Sequence, residues 1–318
     1  MADAFLAEPL GEQRLAIMDN GRLRAMQLWR DGDPLAAGSV VDARLKRKLG
    51  TRGIAESAGE ELLVDPWPPG LTEGATVPLL ITRAAWLEPG RDRIGKARPA
   101  GRAESLPFTP KRAIAAYGAQ LRQDWPDDVA AQWDDAWEAA SLGRLAIAGG
   151  SLCLQPTAAF LAVDVDGAAP DVVEAAKALA HAIRLFGLGG NIVMDLPAAS
   201  KVERLAVGAA IVEAMAGLTY DKTAMNGYGL LQILVPRRHP SIVERAQLHR
   251  AASAAVALLA AAGHDTRTGP IRLRAAPGVI RWLESRPHLL AALARKIGRS
   301  VDLRADSMAG TGHVEPVT

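Results

Sequence analysis

The sequence predicts a multidomain α/β (α+β) protein, and three observations along its 318 residues lead to that fold class. Residues 36–98 alternate short β-like runs with Gly and Pro and show no long helical period, which is typical of a small all-β module. Residues 160–197 read as strand, helix and strand, the pattern of a βαβ unit. Residues 241–318 alternate helix and strand on a smaller scale, which indicates a small C-terminal α/β domain.

Composition places the chain among ordinary globular proteins. Its apolar fraction of 49% allows two or three packed units, while a formal charge of +2 and a pI near 8.8 are too mild to indicate a nucleic-acid partner. Cys153 is the only cysteine, which excludes a disulfide framework or a cysteine-based zinc site within one chain. The first residues lack the pattern of a signal peptide, and the longest apolar run, residues 251–263, is shorter than the roughly 20 residues of a membrane helix. We therefore expect a soluble cytoplasmic protein without a membrane partner.

The β-rich part of the chain begins with a predicted hairpin over residues 13–29. Asn20 and Gly21 supply the two positive φ angles that a tight hairpin turn requires. The all-β module follows, and it ends at a connector of residues 99–109 that is rich in Pro, Gly and Arg.

Helical spacing follows in residues 113–125 and 127–140. In the second segment Val129, Trp133 and Trp137 fall at i, i+4 and i+8, so they share one face of the helix. We expect these tryptophans to be core contacts rather than a platform for stacking bases.

The C-terminal part is predicted from its periodicity and its prolines. A strand near residue 229 is interrupted by Pro236 and Pro240. The elements predicted beyond it are an alanine-rich helix over residues 244–262, a strand over 271–275, a helix over 277–296 and a strand over 300–305.

The residues that carry chemistry lie in the βαβ unit of residues 160–197. Pro170 begins the predicted helix and Gly187 follows its end, so one crossover joins the two strands and makes them parallel. Asp164 and Asp195 then lie at the carboxyl edge of the sheet, where ligands of open α/β sheets bind. Neighbouring strands stand roughly 4.8 Å apart, so two carboxylates at equivalent levels can share a metal ion that relieves their repulsion. The pattern predicts a divalent-metal site.

Asp166 is a third candidate carboxylate. It follows Asp164 by two residues and faces the same side of an extended strand. Hard oxygen ligands favour Mg²⁺, with Mn²⁺ as the alternative, over zinc. A second interpretation stays open, in which Asp164 and Asp166 only end a strand and approach the positive N-terminus of the next helix.

Several segments resemble the ribonuclease E/G family, and the resemblance extends over most of the chain. The family has a strand with a D-(V/I)-N-S motif, an LRLRDLGG-like helix end and an IVIDF strand. Their counterparts, in the same order and spacing, are LAVDVDGA, IRLFGLGG and NIVMDLP. GGSLCLQPTAA, from Gly149, is similar to the family's Gly-Gly-Ser strand and Thr-Glu-Ala motif, and YGLLQIL, from Tyr228, is similar to its FGLLEM-type strand.

The resemblance implies a domain organisation and an activity. The implied domains are an RNase H-like subdomain (1–35 and 110–144), an inserted OB-fold RNA-binding module (36–98), a short connector (99–109), a DNase I-like metal-binding catalytic subdomain (145–240) and a small C-terminal domain (241–318). Asp164 and Asp195 are implied to bind Mg²⁺, and Asp166 to add a ligand or orient one. The implied reaction is hydrolysis of single-stranded RNA by metal-activated water, in RNA processing or decay. A homodimer is expected to form through the C-terminal domain.

Four departures from the family pattern modify these expectations. Asp166 replaces the Asn that orients the second ligand in the family. The connector of residues 99–109 is too short for the family's 5′-end sensor domain. VPRRHPSIVE occupies the place of the linker cysteines, so zinc-linked assembly is not expected. The all-β module also lacks the phenylalanines that grip single-stranded bases, a stacking contribution worth roughly 1–3 kcal/mol per base.

Basic residues are therefore the expected RNA-binding groups, although a run of charge is often only a solvated face. The candidate phosphate contacts are Arg44, Lys46, Arg91, Arg93, Lys96 and Arg237. Arg91, Arg93 and Lys96 occupy the position of a family loop that contacts RNA near the metal, and we expect Lys96 with Arg93 to hold the phosphate backbone.

Two other function classes stay open from the sequence. One is a catalytically inactive RNA-binding protein of the same fold, which the absent sensor and absent aromatic grip favour. The other is a scaffold whose alanine-rich C-terminal helices mediate assembly.

Overall fold

The computed structural model describes residues 2–168, 170–197 and 200–317, and the chain divides into two compact units. Unit 1 comprises Met1–Phe5, Leu15–Gln27 and Gly32–Leu248. Unit 2 comprises Leu6–Arg14, Leu28–Asp31 and His249–Thr318. Within the described ranges, each helix is too short or too polar to cross a lipid bilayer.

Helices and strands are mixed along the chain. The first third contains β1 (Asp3–Ala7), β2 (Glu12–Asp19), β3 (Arg22–Arg30), β4 (Val40–Leu49), β5 (Arg52–Ser57), β6 (Glu60–Val64), β7 (Thr76–Arg83), β8 (Trp86–Glu88), β9 (Arg91–Arg93) and β10 (Gly95–Pro99). The middle part contains α1 (Pro110–Ala116), β11 (Gln120–Arg122), α2 (Asp127–Leu142), β12 (Arg144–Ile147), β13 (Gly150–Pro156), β14 (Leu161–Gly167), α3 (Val172–Phe186), β15 (Gly190–Asp195), α4 (Lys201–Ala214), β16 (Asp221–Lys222) and β17 (Leu230–Val235). The last part contains α5 (Ile242–Gln247), α6 (Arg250–Gly263), β18 (Ile271–Ala275), α7 (Pro277–Glu284), α8 (Pro287–Ile297), β19 (Val301–Ala305) and β20 (His313–Pro316).

The N-terminal hairpin forms as predicted. Asn20 and Gly21 join β2 to β3 with φ angles of 50° and 72°, as a two-residue hairpin turn requires. The hairpin belongs to a four-stranded sheet with the order β11-β1-β2-β3. The helix expected over residues 113–125 ends at Ala116 instead, because Gly118 turns the chain with a φ of 57° and β11 then pairs in parallel with β1.

The predicted all-β module is a closed, OB-like barrel of five strands in the order β10-β6-β5-β4-β7. β6 and β10 pair in parallel, and the other neighbours pair antiparallel. Alternate residues point inward and fill the barrel, among them the buried Leu45, Leu62 and Leu79. Gly53 lets Trp67 pack directly on β5, since a Cβ at Gly53 would lie 2.2 Å from the Trp67 ring.

A six-stranded sheet with the order β12-β13-β14-β15-β17-β16 forms the centre of unit 1. β14 and β15 are parallel and α3 connects them, so the predicted βαβ unit is confirmed. The other neighbouring strands are antiparallel. The helix α3 begins at the N-cap Asp171, whose carboxylate accepts hydrogen bonds from the Val173 and Glu174 amides, and ends at Gly187 in the left-handed conformation.

The two faces of this sheet differ. One face is apolar, and α3 packs against it. Its buried side chains are Leu152, Leu154, Val163, Val165, Ile192, Met194, Leu231 and Ile233. Asp164 and Asp166, alternate residues of β14, are exposed on the other face. The reason is that most neighbours in this sheet are antiparallel, and such sheets commonly have one solvated face.

Unit 2 contains helices α6, α7 and α8 and a three-stranded sheet with the order β19-β18-β20. Leu273 and Leu283 lie in its buried core. The helix expected over residues 277–296 is divided into α7 and α8, because Pro287 begins a new helix and has no amide hydrogen for the old one. The helix expected over residues 244–262 is likewise divided, into α5 and α6.

Two N-terminal segments belong to unit 2 as well as the C-terminal part of the chain. Within these segments the buried side chains of Arg30 and Glu12 form an ion pair at 2.9 Å between Nε and Oε2. Unit 2 therefore combines the chain from His249 onward with two segments from the start of the chain. Sequence periodicity does not reveal that these distant segments belong together.

Candidate functional site

One row of side chains crosses the exposed face of the six-stranded sheet at the level of the predicted metal ligands. Strand pairing places Asp164 beside Asp195, with Cys153 on the other side of Asp164 and Leu230 on the other side of Asp195. Residues directly opposite each other across two strands point to the same face, so the two carboxylates lie side by side, on strands about 4.8 Å apart. Asp195 ends β15 as expected, whereas β14 continues past Asp164 to Gly167 because it pairs with β13.

Both carboxylates are exposed and available to a ligand. Within residues 2–168, 170–197 and 200–317, neither Asp164 nor Asp195 has a hydrogen bond or an ion pair. Two adjacent negative charges without a cation repel each other, and their place on the surface lets water screen that repulsion.

Gly229 fixes the backbone next to Asp195. Its φ is 89°, and its carbonyl oxygen accepts a hydrogen bond from the amide of Leu196, just after β15. A Cβ at Gly229 would lie 2.2 Å from the Leu196 carbonyl oxygen and 3.7 Å from Asp195 Oδ1. Only glycine allows this close approach, so Gly229 positions the end of β15 that carries Asp195.

Asp166 lies on the same face, one row further along β14, opposite Ser151 of β13. Its Oδ2 is 3.3 Å from a terminal guanidinium nitrogen of Arg144, and both side chains are more than half exposed. Such a surface ion pair is worth about 0–1 kcal/mol, so a stronger ligand can displace Arg144 from Asp166.

The row suits a hard divalent cation. In the part of the chain that the structure describes, no three His, Cys, Asp or Glu side chains form a group that could hold a metal ion. Mg²⁺ does not require such a group, because it keeps several of its waters and is commonly held by one or two carboxylates together with substrate phosphates. Asp164 and Asp195, adjacent and unpaired, fit that mode of binding. Cys153, next to Asp164, is a soft ligand and is unsuited to Mg²⁺.

The candidate phosphate contacts on the barrel and on the β8–β9 hairpin are mostly paired with carboxylates. The ion pairs are Lys46–Glu56 at 2.8 Å, Lys96–Asp65 at 3.0 Å and Arg93–Glu88 at 2.8 Å. Arg44 is exposed on β4. The side chain of Arg91 lies outside the described part of the structure. Lys46, Lys96 and Arg93 must therefore exchange a carboxylate for a phosphate if they contact RNA.

Arg237, the remaining candidate, has a different environment. Its side chain is 18% exposed and pairs with Glu244. Its guanidinium carbon lies 4.0 Å from the centroid of the Trp86 ring. Burial is the main cause that lowers the pKa of Arg237, while the charge of Glu244 opposes that shift.

Arg237 lines a cleft of about 550 Å³ that sequence analysis did not predict. Segments that are distant in the sequence form it, and their residues include Arg83, Trp86, Glu88, Arg93, Pro156, Phe160, Leu161, Leu188, Asn191, Tyr220, Leu234, Arg237 and Glu244. β14 and β15 start at this cleft and lead to Asp164 and Asp195, which lie about 10 and 16 Å further along their strands at roughly 3.3 Å per residue. We call the row that contains Asp164 and Asp195 the carboxylate row. The cleft and the carboxylate row are thus two distinct places on one sheet.

A partly buried cluster of cations forms one wall of the cleft. The guanidinium carbon of Arg83 lies 4.2 Å from the centroid of the Trp86 ring, on which Arg237 also packs. The pKa of Arg83 is lowered, first by burial and then by the charges of Arg93 and Arg237. The only sequence signal for this cluster was the arginine content of residues 83–93 and 237–238, which gave no indication that the two segments meet.

No protein-family model matches this chain, and no curated protein sequence matches it significantly.

Proposed function

We propose that this protein is a divalent-metal-dependent endoribonuclease that hydrolyses single-stranded RNA, with the ribonuclease E/G family as the group it resembles. The observation that carries the proposal is the register of β14 and β15, which sets Asp164 beside Asp195 on an exposed sheet face. The OB-like barrel supports the proposal, because barrels of this kind bind oligonucleotides. The order of the segments that resemble the family supports it as well.

Asp164 and Asp195 hold the cation in this proposal, with Mg²⁺ as the expected ion and Mn²⁺ as its substitute. When bound there, the ion supplies an activated water and screens charge on the phosphodiester. Asp166 orients the site or adds a ligand after it releases Arg144. Arg144 stands at the end of the same cross-strand row, opposite Cys153, and its positive charge is available to an RNA phosphate.

The exposed position of the row suits a polymer as substrate. A strand of RNA can lie across an open sheet face, while a small molecule is held better in a concave pocket. Lys96, Arg93 and Arg44 supply the remaining phosphate contacts in this proposal, since backbone contacts dominate the affinity of RNA and DNA binding.

The test compares cleavage of labelled single-stranded RNA by the wild type, Asp164→Asn and Asp195→Asn, each with Mg²⁺ and with EDTA. We expect each variant to lose about 100-fold or more in rate, because the amide keeps the shape of the side chain and removes its charge. Asp135→Asn, an exposed aspartate on α2, is the matched control and should cleave like the wild type. Binding of Mn²⁺ measured by electron paramagnetic resonance gives a second readout that does not depend on turnover. Full cleavage by Asp164→Asn or Asp195→Asn would exclude this site.

A catalytically inactive RNA-binding protein is the second candidate. The contact between Asp166 and Arg144 favours it, because a cation from the chain already stands near the predicted metal position. Equal RNA affinity in Mg²⁺ and in EDTA, together with intact RNA at high protein concentration, would select this candidate over the endoribonuclease.

A further inference from the structure

The cleft beside Trp86 contains three buried hydrogen-bond donors that the folded chain does not use. They are Nε of Arg83, Nε1 of Trp86 and Nε of Arg237, and none of them has a partner among the described residues. Native proteins pair nearly all such groups, because each buried unpaired donor carries a desolvation penalty. All three belong to side chains that line one cleft, which points to a ligand with acceptor atoms as their partner.

The charges of this wall specify an anion. The charges of Arg93 and Arg237 lower the pKa of Arg83, and the charge of Arg93 lowers the pKa of Arg237, so a further negative charge is favourable there. Glu88 and Glu244 already pair with Arg93 and Arg237 and do not fill the positions in front of the unused donors. Phosphate matches this wall, because it offers several strong acceptor oxygens and binds guanidinium groups well.

The cleft also has apolar lining residues, which suit a planar group. Its side chains include Pro156, Phe160, Leu161, Leu188, Leu234 and Pro236. Phe160 is 37% exposed, and an aromatic side chain of this kind can stack on a base. The volume of about 550 Å³ lies within the range of small-molecule and cofactor sites.

We propose that the cleft binds a nucleotide, with its phosphate at Arg83, Trp86 and Arg237 and its base against Phe160. The site is separate from the carboxylate row, and the proposal does not depend on the proposed ribonuclease activity. The nucleotide has two sources with the same chemistry: a free nucleoside monophosphate, or one residue of an RNA strand.

Titration calorimetry on the full chain in EDTA tests the proposal without any contribution from a metal or from cleavage. The probes are adenosine monophosphate, adenosine, inorganic phosphate and an adenosine tetranucleotide with a 5′-phosphate. We expect adenosine monophosphate to bind at least about tenfold more tightly than adenosine or phosphate alone, since only the nucleotide reaches both walls. Tighter binding of the tetranucleotide than of the monophosphate identifies an RNA strand as the source, and equal binding identifies the free nucleotide.

Variants test the contributions of the cation wall and of Phe160 to binding separately. Trp86→Phe keeps an aromatic ring and removes only Nε1, and Arg83→Met keeps most of the length of the side chain and removes its charge. Each should weaken adenosine monophosphate and phosphate alike, by about tenfold for Arg83→Met. Phe160→Ala should weaken adenosine monophosphate about fivefold or more and leave phosphate unchanged. Arg281→Met, an exposed arginine on α7, is the control and should bind like the wild type.

Three results would overturn the proposal. The first is equal affinity for adenosine and adenosine monophosphate, because the cation wall would then contribute nothing. The second is equal affinity for phosphate and adenosine monophosphate, because the base would have no site. The third is unchanged binding in both Phe160→Ala and Trp86→Phe. Phe160 is partly exposed, so Phe160→Ala gives a folded variant even if the substitution of a buried residue does not.

Discussion

The carboxylate row and the cleft lie on the same sheet of unit 1, and they are built in opposite ways. Asp164 and Asp195 are exposed and have no partner among the described residues. Trp86 is buried and Arg83 and Arg237 are partly buried; both guanidinium groups pack on the Trp86 ring, and Arg237 also pairs with Glu244. The charges of the row lie on the surface of the sheet and do not contribute to its packing. The cleft wall, in contrast, is part of the packing between the β8–β9 hairpin and the chain after β17.

Because of this difference, a substitution in the row and one in the cleft should have different effects on stability and on function. Exposed charges without partners contribute little to the free energy of folding, so their replacement should change ligand binding or reaction rate alone. Buried aromatic and cationic groups that pack on one another contribute to both folding and binding. Stability measurements on matched variants therefore test the comparison directly.

Trp86→Ala has the largest expected effect on stability. Trp86 is 8% exposed and contacts two guanidinium groups, so its truncation leaves a cavity and should cost about 3–5 kcal/mol in the free energy of unfolding. Asp164→Asn should change the same quantity by less than about 0.5 kcal/mol. Guanidinium chloride denaturation followed by circular dichroism measures both. A loss for Asp164→Asn as large as that for Trp86→Ala would contradict the distinction between the two regions.

A pH dependence of stability is the second expected difference, and it arises at His239, two residues after Arg237. The ring of His239 stacks on Phe108 with centroids 4.5 Å apart. Burial is the main cause that lowers the pKa of His239 to about 4, helped by the charges of Arg245 and Arg238 and opposed by the Pro240 carbonyl and Asp33. Because the unfolded chain takes up a proton near pH 6.5 and the folded chain does not, stability should fall as the pH drops from about 6.5 to about 4.

The expected loss is up to about 3 kcal/mol over that range, because the pKa of His239 is about 4 in the folded chain and near 6.5 in the unfolded chain. His239→Gln should reduce the difference in unfolding free energy between pH 8 and pH 4.5. The packing lost with the ring lowers the unfolding free energy at both pH values, so it cancels when this difference is compared between the variant and the wild type. The same pH dependence in His239→Gln and in the wild type would assign the effect to other groups.

Gly229→Ala is expected to destabilise the fold less than Trp86→Ala does, and it acts on the carboxylate row. The added Cβ would collide with the Leu196 carbonyl oxygen, and the φ of 89° would be strained, so we expect a loss of about 2 kcal/mol. Gly217→Ala is the matched control, because its φ is 80° and a Cβ there meets nothing within 4 Å. Gly217→Ala measures the cost of backbone strain alone, so the difference between the two variants gives the cost of the collision at Gly229. Equal stability losses for the two variants would show that Gly229 has no special role beside Asp195.

The elements whose signals are local could be predicted from the sequence. Asn20 and Gly21 specify a hairpin turn by their φ preferences, and the βαβ unit has a recognisable start and end for its helix. The adjacency of Asp164 and Asp195 followed from that topology, because a crossover connection fixes the direction of both strands and strand spacing sets the distance. These features depend on residues within a short stretch of chain.

The elements and the site that sequence analysis missed depend on contacts between distant segments. α4 was not predicted, although Ser200 and Glu203 form a capping box, because exposed apolar residues such as Val202 and Leu205 obscure its polar face. The cleft was missed because Arg83 and Arg237 are far apart in sequence and meet only when the barrel and the sheet have formed. Periodicity contains no information on such a meeting.

The alternation along β14 restricts how this strand can change in length. Val163 and Val165 lie in the core while Asp164 and Asp166 lie on the opposite, exposed face. Odd-numbered positions therefore contribute to packing, and even-numbered positions carry the charges. One inserted or deleted residue within β14 would exchange the two sets, burying carboxylates and exposing valines. Substitutions can therefore alter the core or the carboxylate row independently, whereas a single insertion within β14 would disturb both at once, so we expect a change in length to be tolerated only in the turns on either side.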